Sequence, residues 1–336
     1  MDEVQLFLGN IWYVILGLIL VLYVVLDGFT LGVGVLSLFT RDEQRRSVMM
    51  SSLGSVWDAN ATWLVVLAGA LFGAFPLAFG VVMHALYIPV MLMVFGLIFR
   101  GVAFEFHEHA ENKRGWGFGF GIGSLVAAAA QGLALGGVIG GLPVAGRAYA
   151  GSTWTWLDPF SLMVGIGVVF GYALIGATWL IYKTEGDLQQ RSFRRARQFA
   201  WLMLAAGLGV TLWTPLRHEY VFDKWFTYPG IWYIGVLPLG AAVAFFMLLR
   251  ALRRRHEGSP FLWTLTIFLF SFAGLGVSLY PDLVPPEVTI AAAAASSKTL
   301  VFMLTGIGML LPVMLIYNAY QYLVFRGKVR SADHEG

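Results

Sequence analysis

The 336-residue chain contains no cysteine. Disulfide bonds, thiolate metal sites and cysteine-ligated iron–sulfur clusters are therefore excluded. Charged residues are scarce too: they make up 12% of the sequence, whereas soluble domains carry about 25%. A chain with so few charges cannot cover itself with the hydrated surface of a soluble protein. The composition therefore favours a protein that lies within a membrane.

The sequence contains long apolar segments. Hydrophobic residues make up 58% of the sequence, and the mean hydropathy is +0.74. A membrane-spanning helix needs about 20 apolar residues, and helices are the only open elements that satisfy their backbone hydrogen bonds in lipid. Nine spans are predicted, at residues 9–36, 54–75, 79–103, 118–142, 160–182, 199–216, 231–252, 262–280 and 298–323.

These spans predict an all-α, polytopic integral membrane protein that forms one transmembrane domain over residues 1–336. The first eight spans can be grouped into two four-helix halves, 1–142 and 160–280, which are followed by a ninth helix at 298–323. The two halves show no convincing sequence repeat. The ninth helix would therefore be peripheral to two bundles that differ in sequence.

The basic residues are distributed unevenly between the two sides of the predicted membrane. Eighteen of the 22 Lys and Arg residues fall after odd-numbered spans or in the C-terminal tail, with Arg100 counted in the loop after span 3. Because basic loops stay in the cytoplasm, we expect the N-terminus outside and the C-terminus inside. The segments RSFRRAR at 191–197 and RALRRRHE at 250–257 are the clearest cytoplasmic markers. The isoelectric point near 9.1 thus reflects topology and not binding to nucleic acid.

Three carboxylates fall at membrane depth on three consecutive spans. Asp27 lies towards the cytoplasmic end of span 1, Asp58 lies one turn into span 2, and Glu105 lies where span 3 leaves the membrane. A carboxylate within a span costs about 2.5–3.5 kcal/mol on insertion scales, so such residues are usually functional or paired. The alternative is a hydrogen bond between helices for Asp27 and Asp58, and an ordinary interfacial position for Glu105.

Histidines give little support for a haem site on this chain. His84 is the one histidine well inside a predicted span, and His218 is its sole candidate partner towards the outer side. A bis-histidine haem needs two imidazoles that face each other at matched depth. A packed or hydrogen-bonded His84 is the simpler interpretation, and no metal site is predicted.

Four motifs resemble one family, in the same order along the chain. They are LDGFTLGVG in span 1, VWDANATWLVVLAGALFGAFP in span 2, LIGATWLIYKTEGDL after span 5 and YNAYQYLVFRGKV at the end. The chain is similar over nearly its whole length to subunit II of cytochrome bd-type quinol oxidases. Its short length resembles that of members of the cyanide-insensitive branch of the family.

The resemblance implies a haem-free subunit that pairs with a haem-bearing subunit I, which binds two b-type haems and haem d. The complex would oxidise quinol and reduce dioxygen to water in the bacterial cytoplasmic (inner) membrane, and it would take protons from the cytoplasm. No catalytic residue is expected on this chain. A quinone wedged between apolar helices and a small single-span accessory subunit are left open, because no residue identifies either.

The resemblance also implies roles for individual residues. It places Asp58 at the entry of a proton path and adds Glu105 and Asp27 to that path. Trp63 matches a tryptophan near the proposed oxygen route. Thr30 stands where some members carry an acidic residue, so the implied proton path contains fewer acidic side chains here.

Two other classes of function compete with this interpretation. A secondary transporter is disfavoured because no inverted repeat is evident and Pro89, which falls in span 3, has no counterpart in another half. A stand-alone cytochrome b is disfavoured because the histidines do not form a plausible pair. Co-purification with a haem-bearing partner would separate an oxidase subunit from a transporter.

We expect paired reporter fusions to agree with the charge-based topology. A fusion after Phe325 should report the cytoplasm, and a fusion within residues 143–158 should report the outer side, because an odd number of spans separates the two positions. The measurement is the activity of a reporter that is active on one side of the membrane only. Two signals from the same side would contradict the nine-span topology.

Overall fold

A computed structural model shows that the chain is built from long helices packed side by side. The structure describes residues 3–54, 56–217, 219–226, 228, 232, 234–324 and 327–329. Within these residues, nine helices are long and apolar enough to cross a membrane. The predicted all-α, polytopic class is therefore confirmed, whereas the grouping into two halves stays a prediction.

The long helices correspond in order to the predicted spans. They are α1 (Glu3–Leu38), α3 (Val56–Ala74), α5 (Tyr87–His109), α6 (Lys113–Gly140), α7 (Pro159–Lys183), α8 (Gly186–Arg217), α10 (Val236–Arg253), α11 (Ser259–Leu279) and α13 (Ser297–Val324). The shorter helices are α2 (Glu43–Ser51), α4 (Pro76–Ala85), α9 (Glu219–Phe226) and α12 (Ile290–Ala293). Two antiparallel hairpins pair β1 (Val144–Ala145) with β2 (Ala148–Tyr149) and β3 (Asp282–Val284) with β4 (Val288–Thr289).

The third predicted span, 79–103, starts too early. Residues up to Ala85 form the separate helix α4, and the membrane-length helix α5 begins at Tyr87. Pro89 lies in the first turn of α5, where a backbone N–H would have no intrahelical acceptor, so the proline costs no hydrogen bond. It therefore marks the start of a helix and does not interrupt one. The seventh predicted span, 231–252, lies partly outside the described residues.

Helix α1 lies at the centre of the packing. It contacts α3, α6, α7, α11 and α13, and every residue from Asp27 to Ser37 is buried. A Cβ added at Gly32 would lie 1.8 Å from the carbonyl oxygen of Tyr172, and a Cβ added at Gly176 would lie 2.4 Å from the carbonyl carbon of Gly32. Glycine thus lets the backbones of α1 and α7 touch, as small residues do at interfaces between membrane helices.

The two ends of the helix bundle carry different loops. At one end, which we call the basic end, Arg195 of α8 donates to the carbonyl oxygen of Phe39 at 2.9 Å, and Arg45 pairs with Asp187 at 3.1 Å. At the opposite end, which we call the hairpin end, the loops of the two hairpins are joined by a backbone hydrogen bond from Leu142 to a proline carbonyl, 3.1 Å long. The basic end is the one that the charge distribution assigns to the cytoplasm.

We expect Gly32→Ala to destabilise the protein, because the added methyl group would collide with backbone atoms that cannot rotate away. Overpacking of this kind typically costs about 1–3 kcal/mol, and more where the obstacle is rigid. Gly17→Ala on the same helix is the matched control, since a Cβ there meets nothing within 4 Å. The measurement is thermal unfolding of the detergent-extracted protein. Equal midpoints for the two variants would contradict the close α1–α7 contact.

Candidate functional site

Asp58 lies in the first turn of α3, at the basic end of the bundle. Its side chain is exposed, and it lines an open groove of about 720 Å³ between α3 and α13. A carboxylate in the first helical turn is favoured by the helix dipole. The groove is also lined by polar side chains, and those of Thr62, Tyr317, Asn318 and Gln321 are among them. The structure therefore places this carboxylate on an open groove between two membrane-length helices, lined by both polar and apolar side chains.

The two polar neighbours of Asp58 in its own motif have different positions. Thr62 lies on the groove with Asp58, and its hydroxyl donates to the Asp58 backbone carbonyl at 3.5 Å. Asn60 points away and is buried. Its amide nitrogen donates to the Leu26 carbonyl at 2.7 Å, and its amide oxygen accepts from the Tyr322 hydroxyl at 3.1 Å. Asn60 thus ties α3 to both α1 and α13, which fixes the two walls of the groove.

Asp27 forms a buried ion pair that the sequence did not predict. Its carboxylate accepts from the Nη1 atom of Arg100 at 2.7 Å, and the Thr30 hydroxyl lies within hydrogen-bond distance of both side chains. The side chains of Asp27 and Arg100 are 0% and 2% exposed. Charges this deep are tolerated only when they are paired. Arg100 lies inside α5, so counting it as a loop residue was wrong.

The buried pair contacts the start of α3 through an aromatic ring. The guanidinium carbon of Arg100 lies 5.9 Å from the ring centroid of Trp57, which is a cation–π contact. Trp57 also packs against Phe104, with 5.4 Å between the ring centroids. Since Trp57 directly precedes Asp58, the pair between α1 and α5 also supports the helical turn that presents the groove carboxylate.

A second polar group lies one turn further along α1, away from the basic end. The amide of Gln131 on α6 donates to the Tyr23 hydroxyl at 2.6 Å and accepts from the Tyr172 hydroxyl at 2.7 Å. Tyr23 and Asp27 are four residues apart and therefore neighbours on the same helix face. The interior thus holds hydrogen-bonded polar groups from α1, α5, α6 and α7, none of which lines the groove at Asp58.

The structure does not bring the three predicted carboxylates together. Asp58 lines the groove, Asp27 is buried against Arg100, and Glu105 is exposed on α5 and does not line the groove. Trp63 is fully buried, and within the described residues its indole N–H has no hydrogen-bond partner. His84 is exposed and packs its ring against Tyr149 at the hairpin end, 5.5 Å between centroids.

His218, the candidate haem partner of His84, lies outside the described residues. The residues that the structure does describe contain no group of three or more His, Asp or Glu side chains that could hold a metal ion.

A further charged cluster at the basic end was missed. His107 in the last turn of α5 is buried, and its Nε2 atom lies 3.1 Å from the carboxylate of Glu43 on α2. Glu43 also pairs with Arg46, whose guanidinium bonds the Thr40 carbonyl. The only sequence signal was the turn-rich, charged segment after span 1, which the hydropathy pattern treats as a loop.

The C-terminal residues 327–329 lie across the basic end. The backbone N–H of Val329 donates to the carbonyl of Lys183 at 2.8 Å, and Lys328 bonds the carboxylate of Glu257 at 2.7 Å. Hydrogen bonds from Lys328 and Gln189 lower the pKa of Glu257. Because the folded protein favours the ionised form of Glu257, these hydrogen bonds stabilise the fold above the usual carboxyl pKa. Their contribution is lost as the pH falls through the lowered pKa.

The described residues define a polytopic helical membrane protein with an exposed carboxylate on a groove between two helices and a charged pair in its interior. Ionisable groups at such positions are typical of membrane proteins that move protons or ions. The chain belongs to the cytochrome bd terminal oxidase subunit II family, whose model matches residues 8–325. The resemblance in the sequence motifs is thereby confirmed, and membership implies a quinol oxidase complex with a haem-bearing subunit I.

Relatives extend over almost the whole chain. The cytochrome bd-I ubiquinol oxidase subunit 2 of Escherichia coli strain K12 is 27% identical over 366 aligned residues, which cover 97% of this chain and 96% of the relative. The cytochrome bd ubiquinol oxidase subunit 2 of Bacillus subtilis strain 168 is 26% identical over 339 residues, which cover 97% and 98%. A chain of the bd oxidase from Geobacillus thermodenitrificans matches with a TM-score of 0.75 and 21% identity, over 95% of this chain and 98% of its own. This match shows a shared fold.

We expect Arg100→Met to destabilise the protein by about 3–5 kcal/mol, because it leaves the Asp27 carboxylate buried without its cation. The double variant Asp27→Leu/Arg100→Met should recover much of this loss, since it removes both charges. The exposed pair of Arg191 and Asp187, 2.8 Å long, supplies the control. There, Arg191→Met should cost less than about 1 kcal/mol.

The measurement for the ion pair is the thermal unfolding midpoint of the purified complex, with its yield as a second readout. The single variant Asp27→Leu completes the comparison, and a double variant that loses as much as Asp27→Leu and Arg100→Met together would show that the two side chains act independently.

Proposed function

We propose that this chain is the haem-free subunit II of a quinol:oxygen oxidoreductase and that it delivers protons to a haem-bearing subunit I. The family assignment supports the complex. In this proposal the two b-type haems and haem d belong to subunit I, which carries out the reduction of dioxygen to water. This chain holds the complex together and conducts protons, and it makes or breaks no bond in quinol or dioxygen.

The observation that carries the proton role is the position of Asp58 at the mouth of the groove between α3 and α13. Oxygen reduction consumes protons, and the basic end is the cytoplasmic end in the topology that the charge distribution favours. A carboxylate there can exchange protons with the cytoplasm and pass them along the groove. The N-terminus lies on the outer side in this proposal, the C-terminus lies in the cytoplasm, and the membrane is the bacterial inner membrane.

The other two carboxylates are proposed to act differently. Glu105 is exposed at the same end and would collect protons at the surface. Asp27 is neutralised by Arg100 at 2.7 Å, and an ion pair gives up its charges only at a high cost. Asp27 would therefore influence the path by holding α1, α5 and the start of α3 in place.

Oxygen access is proposed for the interior around Trp63. This ring is fully buried in α3, and dioxygen is an apolar molecule that enters apolar packing readily. The indole would act as a wall of that route and not as a binding group.

The face formed by α3 and α13 is proposed to contact subunit I. Helix α13 buries only 6% of its most apolar window against the rest of the chain, and the groove beside it carries polar side chains. Lipid tails cannot hydrogen-bond such groups. Protein or water must therefore cover this face. The transporter alternative is not favoured, because the oxidase family model spans nearly the whole chain.

We expect Asp58→Asn to lower the oxygen consumption of the assembled complex about tenfold or more while the haem content is retained. A positioned proton-transfer group typically contributes about 10²–10⁴-fold, and water can replace part of that contribution. Asp58→Glu should be milder, because it keeps an exchangeable proton. Oxygen consumption per haem with a quinol donor is the measurement.

Asp187→Asn is the control for Asp58→Asn, since Asp187 is an exposed carboxylate on α8 outside the groove. It should leave turnover unchanged. The proton role of Asp58 is wrong if Asp58→Asn loses assembled complex and haem together while the surviving complex turns over normally per haem. That result would make Asp58 a structural contact with the partner.

A further inference from the structure

A second groove, about 310 Å³ in volume, lies between α10 and α11 and is called the α10–α11 groove here. On its α10 wall, Val236, Leu239 and Val243 are 58%, 65% and 49% exposed. Helix α10 packs chiefly against α11 and α8, and the groove shares no lining residue with the groove at Asp58. It is therefore open to whatever surrounds this side of the bundle.

The α10–α11 groove is apolar. Its lining residues are Val236, Leu239, Gly240, Val243 and Ala244 of α10 and Trp263, Thr266 and Phe270 of α11. The hydroxyl of Thr266 donates to the Leu262 carbonyl of its own helix at 2.9 Å. A Cβ added at Gly240 would lie 2.6 Å from the ring of Phe270, so glycine leaves room for that ring. Such walls offer an occupant dispersion contacts and suit a hydrocarbon chain.

The face of α10 that lines the groove continues to two arginines at the basic end. Arg250 and Arg254 follow Val243 by seven and eleven residues, which are about two and three turns of an α-helix, so the three side chains lie in one line. Arg253 is rotated off this line by roughly 80°. Both Arg250 and Arg254 are exposed, and the axial distance from Val243 to Arg250 is about 10 Å.

The two guanidinium groups are available to a ligand. The structure gives neither of them an ion-pair or hydrogen-bond partner within the described residues. Glu257, the acidic residue that follows them in the same loop, is already bonded to Lys328 at 2.7 Å. The planar fork of a guanidinium matches the geometry of a phosphate group. Topology explains why this side of the membrane is basic, but it does not require two arginines in line with an apolar groove.

We propose that the α10–α11 groove, together with Arg250 and Arg254, binds one anionic phospholipid from the leaflet at the basic end. The arginines hold the phosphate, and an acyl chain lies in the groove. Trp263 lies one turn into α11, at the depth where tryptophan meets the boundary between headgroups and hydrocarbon.

Depth and charge both fit this ligand. From Val236 to Arg250 the helix rises about 21 Å, at 1.5 Å per residue, and one leaflet with its headgroups is about 20–22 Å thick. A zwitterionic lipid brings an ammonium group that the two arginines would repel. An anionic lipid leaves its phosphate without a cation of its own, and the arginines supply one.

The test uses the delipidated, assembled oxidase, which is titrated in detergent with phosphatidylglycerol or with phosphatidylcholine and followed by native mass spectrometry. We expect one phosphatidylglycerol to bind more tightly than phosphatidylcholine. Arg250→Gln/Arg254→Gln should weaken phosphatidylglycerol about 25-fold, since each basic side chain near an anionic lipid surface contributes about fivefold. Binding of phosphatidylcholine should not change. The thermal midpoint, which a ligand of the native state raises, is the second readout.

Two matched controls separate the site from general charge and surface effects. Arg114→Gln removes an exposed arginine of α6 at the same end of the bundle, outside the groove, and should leave phosphatidylglycerol binding unchanged. Val243→Trp fills the groove and should abolish the tight binding. Phe246→Trp places the same ring at a 62% exposed position of α10 that does not line the groove, so the lipid should be retained. Haem content and oxygen consumption report that each variant is assembled.

Four results would overturn the proposal. The first is wild-type affinity for phosphatidylglycerol in Arg250→Gln/Arg254→Gln or in Val243→Trp. The second is an equal loss in Arg114→Gln, which would show diffuse attraction to the basic end. The third is a thermal shift with inorganic phosphate alone that the two arginine substitutions remove, which would assign the arginines to a free anion. The fourth is loss of assembled complex in the arginine double variant, which would show that this face contacts subunit I.

Discussion

The ion pair between Asp27 and Arg100 is the constraint on which the rest of the structure depends. Two opposite charges that are almost completely buried have one arrangement that offsets their desolvation, and that arrangement fixes α1 and α5 in depth and rotation. The same guanidinium lies over the ring of Trp57, so the pair also contacts the start of α3. Asn60 then joins α3 to the backbone of α1 and to α13. The position of the groove is therefore a consequence of charge pairing in the interior, although no member of the pair touches the groove.

The positions of the polar side chains follow the cost of placing each kind of group in the bilayer. Among the described residues, the charges of Asp27 and Arg100 are buried as a pair, neutral amides and hydroxyls lie in the interior and along the groove, and the carboxylate of Asp58 is exposed on the groove. This order follows from the insertion cost of each group, which is greatest for isolated charges. The described residues therefore keep the charged pair of the interior apart from the exposed carboxylate on the groove.

The sequence was sufficient for the all-α, polytopic class and singled out Asp58, whose role in proton entry stays a proposal, but it did not show the surroundings of that carboxylate. Hydropathy alone predicted the number of membrane-length helices, because span length depends on composition and not on contacts. The family motif around Asp58 identified the carboxylate that the structure places on the groove. Arg100 was missed as the partner of Asp27, since the two are 73 residues apart and a lone arginine near a span end resembles a topology marker. The break at Leu86 was missed because α4 and α5 are both apolar. The groove wall on α13 was missed because that helix has no clear polar face in its sequence.

The distance in sequence between Asp27 and Arg100 also matters while the chain is being made. Translation proceeds at about 5–20 residues per second, so the 73 residues that separate them take roughly 4–15 s to synthesise. Throughout that interval Asp27 has been made and Arg100 has not. An unpaired carboxylate is costly at membrane depth, so the pairing that fixes α1 against α5 can form only after α5 has been synthesised.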